Sequence, residues 1–406
     1  MFFRGWRHVV LGVVCEYNPF HQGHLYQLAE SRRAAGEDSA IVCAMSGDFV
    51  QRGEAAICAK FARAEAAVAC GADLVAELPL PWCLSSAEGF ARGAVGLLNA
   101  LGAERLCFGS ETGELAPLEE LARLLREPDF LEAVKNRLAA DGTLSFAEAR
   151  QQEAEARQGE SALLLSQPNN ILAIEYCKAL AELGSAMRPF AVLRQGNGHD
   201  QSGKPGPRSA SELRRMLASG TEIAAELPPP AAAVFRRENE QGRVLRARDA
   251  LELPMLSRLR MLGEEDFLNL PDAADGLGQR LFRAVREEPT LDAVLASAKT
   301  RRYALSRIRR MALCACLGVK AGMADGIPPY ARVLAANERG RALLREQTKR
   351  AAIPIVTKPA AVKELSEDCA ALFTLGAQAH DFYVLGFPAQ VERRPGGDWR
   401  TSPKML

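Results

Sequence analysis

Apolar positions in the first third of the chain fall into short, mostly apolar runs separated by stretches with helical spacing. Val9-Val10-Leu11-Gly12-Val13-Val14-Cys15 is such a run, as expected of a strand covered on both faces. A loop follows, then Leu25, Leu28 and Ala29 recur on one side of a helix. Ala40 to Met45 is a second strand, Lys60 to Ala69 an alanine-rich helix, and Asp73 to Pro79 a third strand. A helix from about Ala91 to Leu101 leads to a fourth strand, Arg105 to Phe108, ending at Gly109-Ser110-Glu111. Strand and helix alternating at this spacing predict an α/β fold: a Rossmann-like parallel sheet with helices on both faces. Ligands of such sheets bind beyond the carboxyl ends of the strands.

From Glu119 to about Ala162 the pattern is helical and highly charged, and Pro168-Asn169-Asn170 opens a further helix, Ile171 to Leu183. Phe190 to Leu193 reads as another strand of the same sheet, and Gly196 to Pro207 as a loop. Arg-rich amphipathic helices continue to about Gly318, followed by a smaller mixed segment with a strand at Ile353 to Val356. A boundary near residue 220 is therefore expected, with a nucleotide-binding domain over 1–220 and a mostly helical, Arg-rich domain over 221–406.

Composition narrows the options. With 406 residues, 48% apolar and 25% charged, the chain is globular and long enough for two or three domains. Its 51 basic and 50 acidic side chains exclude a globally basic nucleic-acid binder but leave room for a local patch. No apolar run is long enough to span a bilayer, and the run after Met1 ends at Glu16 without a cleavage pattern, so a soluble, cytoplasmic protein is expected. The ten cysteines lie scattered in apolar stretches and read as small buried hydrophobes, not as metal ligands.

The chemistry concentrates at Glu16-Tyr17-Asn18-Pro19-Phe20-His21-Gln22-Gly23-His24, between the first strand and the first helix. A helix amino terminus is an anion site, Gly23 lets the backbone approach a ligand, and His21 and His24 supply donors for a phosphate on which charge builds. The His-x-Gly-His motif resembles that of the nucleotidylyltransferase superfamily. The longer run resembles the tRNA(Met) cytidine acetate ligase family, as do Met45 to Glu54, Gly71 to Pro79, Phe108 to Glu111, Pro168 to Leu172, Ser209 to Arg214 and Thr300 to Tyr303. That resemblance implies an enzyme that activates acetate with ATP, with Mg²⁺ as companion, and acetylates N4 of the wobble cytidine of elongator tRNA(Met). No membrane association is expected, and no protein partner is inferred. The resemblance also implies that His21 and His24 are catalytic. ATP would be held by Val14, Cys15, Glu16, Tyr17, Asn18, Pro19, Phe20, His21, Gln22, Gly23, His24, Leu25, Tyr26 and Gln27, with Gly109, Asn169 and Arg194 completing the site. Read without it, Gly109 also suits a turn, Asn169 a helix N-cap and Arg194 a surface ion pair. The family's aromatic residue before a His-Asp pair is replaced here by Gly198, ahead of His199-Asp200, so those two carry no assigned role. Asp48 and Arg52 lie after the second strand, either over the same crevice or in a solvated turn.

A basic run completes the picture. Lys299 to Arg310 holds six basic residues and no acidic one. On one continuous helix, Lys299, Arg302, Arg307, Arg309 and Arg310 fall within roughly 160° of arc, with Tyr303 inside it, a track for RNA phosphates and a ring for stacking. Arg339, Arg341, Arg345, Lys349 and Arg350 form a weaker candidate. Two rival functions share part of this pattern: a small-molecule nucleotidylyltransferase, which leaves the Arg-rich half unexplained, and a tRNA-binding protein that only senses ATP, which has no need of two phosphate donors.

Overall fold

The computed structural model describes residues 9–194 and 207–406. In chain order the strands are β1 (Val10–Cys15), β2 (Ala40–Ser46), β3 (Phe49–Val50), β4 (Glu54–Ala55), β5 (Leu74–Leu78), β6 (Arg105–Ser110), β7 (Arg188–Leu193), β8 (Ala331–Ala336), β9 (Ile355–Val356) and β10 (Lys404–Met405). The first half carries helices α1 (Gln22–Ala35), α2 (Lys60–Ala69), α3 (Ala87–Ala100), α4 (Ala116–Leu124), α5 (Pro128–Ala140), α6 (Phe146–Gln158), α7 (Pro168–Glu182) and α8 (Ala210–Ala218). The second half adds α9 (Pro229–Glu240), α10 (Glu252–Met261), α11 (Glu264–Leu268), α12 (Leu277–Glu287), α13 (Leu291–Ala298), α14 (Leu305–Leu317), α15 (Glu338–Gln347), α16 (Glu367–Val384) and α17 (Gly397–Arg400).

The central apolar runs form strands because they are covered on both faces. Every residue of β2, β5 and β8 is buried, and so are all but Val14 in β1. The sheet order is β10-β8-β5-β2-β1-β6-β7, with β9 beside β8. One core contains residues of α1 and α2 with Leu11, Val13 and Ile41, and the other joins α3, α4 and α7 to Val10, Val42 and Leu106. Within the parallel part the chain moves outward from β1 through β2 to β5, then returns to place β6 on the other side of β1. The carboxyl ends of β1 and β6 thus border the switch point where such sheets bind ligands.

After β7, which ends at Leu193, the described chain runs through helices α8 to α14 before it returns to the sheet. β8 returns to pair antiparallel with β5. Its sequence, Ala-Arg-Val-Leu-Ala-Ala, carries little strand preference and puts Arg332 in its second position. The strand survives burial because Asp398 and Glu77 meet that guanidinium. The strand expected over 353–356 is the two-residue β9 on the flank of β8. Most of the 196–207 loop lies outside the described residues, as do Gly198, His199 and Asp200. All ten cysteines are buried free thiols.

Candidate functional site

The His-x-Gly-His segment is an N-capping device with histidines in both positions. His21 is the N-cap of α1, in extended backbone. Its Nδ1 accepts from the Gly23 N–H at 3.0 Å, and Nδ1 of His24 accepts from the His21 N–H at 3.2 Å. These bonds occupy the capping-box places usually taken by Ser or Thr and by Glu or Gln. They also fix the tautomers: with both Nδ1 atoms accepting, each neutral ring carries its proton on Nε2. The rings stack with centroids 3.7 Å apart, and the edge of His24 rests on Tyr17, itself buried, at 4.9 Å. Burial, with Arg194 and Arg214 nearby, lowers the His21 imidazole to about 3. Burial, His21 and Arg194 hold His24 well below its ordinary value. Two neutral N–H donors therefore stand side by side at a helix amino terminus, with arginine charge close by. Gly23 has a more local reason than ligand access, since a Cβ there would lie 2.9 Å from Cε1 of His21.

Of the stretch from Val14 to Gln27, the buried members Cys15, Tyr17, Asn18, Pro19 and Phe20 shape the loop. Val14, Glu16, Gln22, Leu25, Tyr26 and Gln27 are half-buried. Glu16 accepts from the Gln51 N–H at 2.7 Å, tying β1 to the loop after β2.

Across the switch point, Gly109 and Arg194 act as a pair. The Arg194 N–H bonds Ser110 O at 3.0 Å, and its side chain passes over Gly109, where a Cβ would meet Cγ at 3.2 Å. Asn169 does not use its side chain as an N-cap. Glu111 caps α7 from the end of β6: its carboxylate accepts from the backbone N–H and the amide of Asn169 (3.2 and 2.6 Å) and from the Asn170 N–H (2.8 Å). Asn170 returns the bond by accepting from the Glu111 N–H. Gly109, Asn169 and Arg194 are thus drawn together around the ends of β6 and β7.

Two arginines that sequence reasoning passed over hold the loop's carbonyls. Arg63, buried on α2, donates to the carbonyls of Glu16, Ser46, Gly47 and Cys58. Arg214 of α8 donates to Asn18 O at 2.7 Å. On an alanine-rich helix Arg63 reads as a surface residue; only the meeting of loops after β1 and β2 gives it partners. Asp48, one of the residues considered for the crevice, is instead buried. It accepts from the Lys60 N–H at 2.8 Å and from Nδ1 of His380 at 2.8 Å. Burial alone would raise its carboxyl, but His380 and Lys60 more than offset that and hold it below the usual range. Lys60 also binds Glu77 (2.8 Å) and Asp398 (2.6 Å), and Asp398 binds Arg332. This buried network locks α16 and α17 against the sheet. Arg52 is exposed.

The HIGH Nucleotidyl Transferase family matches residues 9–397. A tRNA(Met) cytidine acetate ligase of Syntrophotalea carbinolica is 40% identical over 86% of this chain and 84% of its own. The enzyme of the same name from Acetivibrio thermocellus is 34% identical over 96% of this chain and 98% of its own. This chain belongs to the tRNA(Met) cytidine acetate ligase family. The crystal structure of apo Thermotoga maritima TmcAL, 31% identical, superposes with a TM-score of 0.91 over 98% of this chain and 99% of that one. The structure of TmcAL bound with alpha-thio ATP gives 0.89 over the same shares.

For a member of this family the placement of its basic residues matters, and here the structure corrects the sequence reading. Lys299 to Arg310 is not one helix. Lys299 ends α13, a turn follows, and α14 begins only at Leu305 after the extended Ala304. The one-sided arc therefore does not exist. Tyr303 is buried, with its hydroxyl donating to Asp275 O at 3.1 Å. Arg307 donates to Asp272 O, Arg310 is buried against Asp272 Oδ2 at 3.1 Å, and Arg309 pairs with Glu54 at 2.9 Å. These acceptors lie far away in sequence, outside any local window. Lys299, Arg301 and Arg302 remain exposed. The weaker candidate begins at the opposite edge of the sheet, where Arg339 donates to Ser39 O just before β2.

Proposed function

We propose that this protein is an ATP-dependent acetate ligase that forms acetyl-adenylate and acetylates N4 of the wobble cytidine of elongator tRNA(Met) in the cytoplasm. The observation that carries the reading is the pair of stacked imidazoles whose Nδ1 atoms are committed to the helix cap, leaving two Nε2–H donors. It agrees with the names of the relatives and with the ATP analogue bound by the T. maritima protein.

In the first step an acetate oxygen attacks the α-phosphorus in line. The new O–P bond forms as the bond to the β-phosphate oxygen breaks, and pyrophosphate leaves with the electron pair. His21, His24 and the first N–H groups of α1 hold the phosphate oxygens as charge moves through them. The end of β1, the loop after it and the start of α1, from Val14 to Gln27, embrace the nucleotide, with Gly109, Asn169 and Arg194 on its far side. In the second step the cytidine N4 attacks the acetyl carbonyl, AMP departs with the electron pair of the broken C–O bond, and N4 gives up a proton. Bound with ATP, Mg²⁺ would supply charge neutralisation for its phosphates. Among the described residues no group of three or more His, Cys, Asp or Glu side chains is arranged to hold a metal, so the ion is proposed to enter on the nucleotide. Residues 1–220 carry the nucleotide chemistry, and the helical region beyond them, with the exposed Lys299, Arg301 and Arg302, meets the RNA. The test is acetate-dependent exchange of labelled pyrophosphate into ATP without tRNA. Exchange that requires acetate supports the reading, and its absence, with the protein folded, removes it.

A further inference from the structure

Between the turn that joins β3 to β4 and helices α8, α10, α13 and α14 lies an open-mouthed cavity of about 140 Å³. Its floor is apolar, formed by Leu245, Leu251, Met255, Leu295 and Leu313, all buried. Its polar lining is mostly arginine: Arg214, Arg215, Arg246 and Arg309, against the two carboxylates Glu54 and Asp292. Arg215 and Arg246 are exposed and mark the mouth, and Arg215 has no ion-pair partner among the described residues. An apolar floor beneath an excess of positive charge suits a flat ring joined to phosphates.

One contact ties the cavity to the candidate active site and another to the helix that follows the basic segment. Arg214, on its wall, donates to Asn18 O in the loop that leads to His21. Gly53, also on the wall, has a φ of +75° and packs so closely on α14 that a Cβ would lie 2.5 Å from the Arg310 nitrogen. The turn between β3 and β4 therefore presses on the helix that bears Arg309 and that follows the exposed Lys299 to Arg302 segment. An apolar cavity of roughly 150 Å³ takes one benzene-sized ring, the size of a pyrimidine.

We propose that this cavity receives the pyrimidine ring of the acceptor cytidine, extruded from the RNA loop, while the rim arginines hold the phosphates on either side. RNA bases are recognised in this way when unstacked, by a surface for the ring and positive groups for the backbone. The proposal rests on the ligase reading above, and the test separates the two.

Ala250 lines the cavity and is half-buried, so Ala250→Trp fills it. Three quantities are measured on the full-length protein: acetate-dependent ATP–pyrophosphate exchange, acetyl transfer to an anticodon stem-loop RNA, and the affinity for that RNA against one with an abasic site at the acceptor. The wild-type protein is expected to bind the intact loop on the order of tenfold more tightly than the abasic one. In Ala250→Trp that difference should vanish and transfer should fall at least a hundredfold, while exchange continues. A wild-type protein without exchange overturns the ligase reading itself. A wild-type protein with exchange, beside an Ala250→Trp variant that transfers normally and still discriminates the abasic loop, overturns the cavity proposal alone. Weaker RNA binding with discrimination intact also overturns it, because the base then lies elsewhere. Should Ala250→Trp not fold, Arg215→Ala at the exposed rim decides: an unchanged KM for RNA contradicts the proposal, and a several-fold rise supports it.

Discussion

His24 both closes the cap of α1 and carries one of the two donors assigned to the phosphate, and a pair of substitutions separates these duties. His24→Ala removes the acceptor for the His21 N–H, the stacked ring at 3.7 Å and the Nε2–H together. Loss of the capping bond costs roughly 0.5–2 kcal/mol, and the lost ring contacts add to it. His24→Gln restores an acceptor at the third helical position, where Gln is a usual capping-box partner, but places no donor where Nε2 stood. Unfolding by urea should therefore show His24→Ala destabilised and His24→Gln largely recovered. Acetate-dependent ATP–pyrophosphate exchange should fall on the order of 10²–10³-fold in both, the loss expected for one preorganised donor. If His24→Gln exchanged pyrophosphate at the wild-type rate, the ring would be a cap alone and the assigned chemistry would be wrong.

Gly23→Ala should cut exchange tenfold or more by displacing the His21 ring, and urea unfolding should show no gain in stability, because the lost cap on the Gly23 N–H, at roughly 0.5–2 kcal/mol, offsets the helix preference of alanine, about 1 kcal/mol. Arg63→Met strands the carbonyls of Glu16, Ser46 and Gly47, at about 1–3 kcal/mol each when buried, and urea unfolding should show a loss of at least about 3 kcal/mol. Replacing Lys299, Arg301 and Arg302 by alanine should weaken tRNA binding and reduce its log–log salt slope by slightly under one unit per lost phosphate contact. Arg310→Ala should instead destabilise the fold, by about 1–3 kcal/mol for a buried charged hydrogen bond; equal salt slopes for the triple variant and the wild type would remove this segment from the RNA surface. His21 also sets an acid limit. With its folded value lowered to about 3, the unfolded chain binds the extra proton first, so its contribution is present above about pH 6.5 and is lost as pH falls towards 3, by up to about 1.4 kcal/mol per unit. His21→Asn keeps an N-cap acceptor without that titration and should flatten the acid-side decline, read from urea unfolding between pH 4 and 7.

What was legible in the sequence was local. Short apolar runs gave the strands β1, β2, β5, β6 and β7, and the Pro168 start of α7 was visible because proline suits a first helical turn. The His-x-Gly-His pair announced itself by its place between strand and helix. What escaped depends on partners distant in sequence. β8 is a strand because Arg332 finds Asp398 and Glu77, and Arg63 is buried because loops from β1 and β2 converge on it. The basic run misled for the same reason: a helical projection cannot show that Asp272 and Asp275 take up Arg310, Arg307 and Tyr303. Local pattern assigns elements, whereas the use of a buried charge is settled only by the fold.

The most direct measurement of the central claim uses two transcripts of elongator tRNA(Met), one with the wobble cytidine and one with uridine in its place. Each is incubated with the purified protein, ATP and labelled acetate, then digested to nucleosides. Label is expected as N4-acetylcytidine from the cytidine transcript alone, only when ATP is present, and matched by AMP. Label in both transcripts, or none in either while ATP–pyrophosphate exchange proceeds, would contradict the assignment of this chain as the ligase for that base.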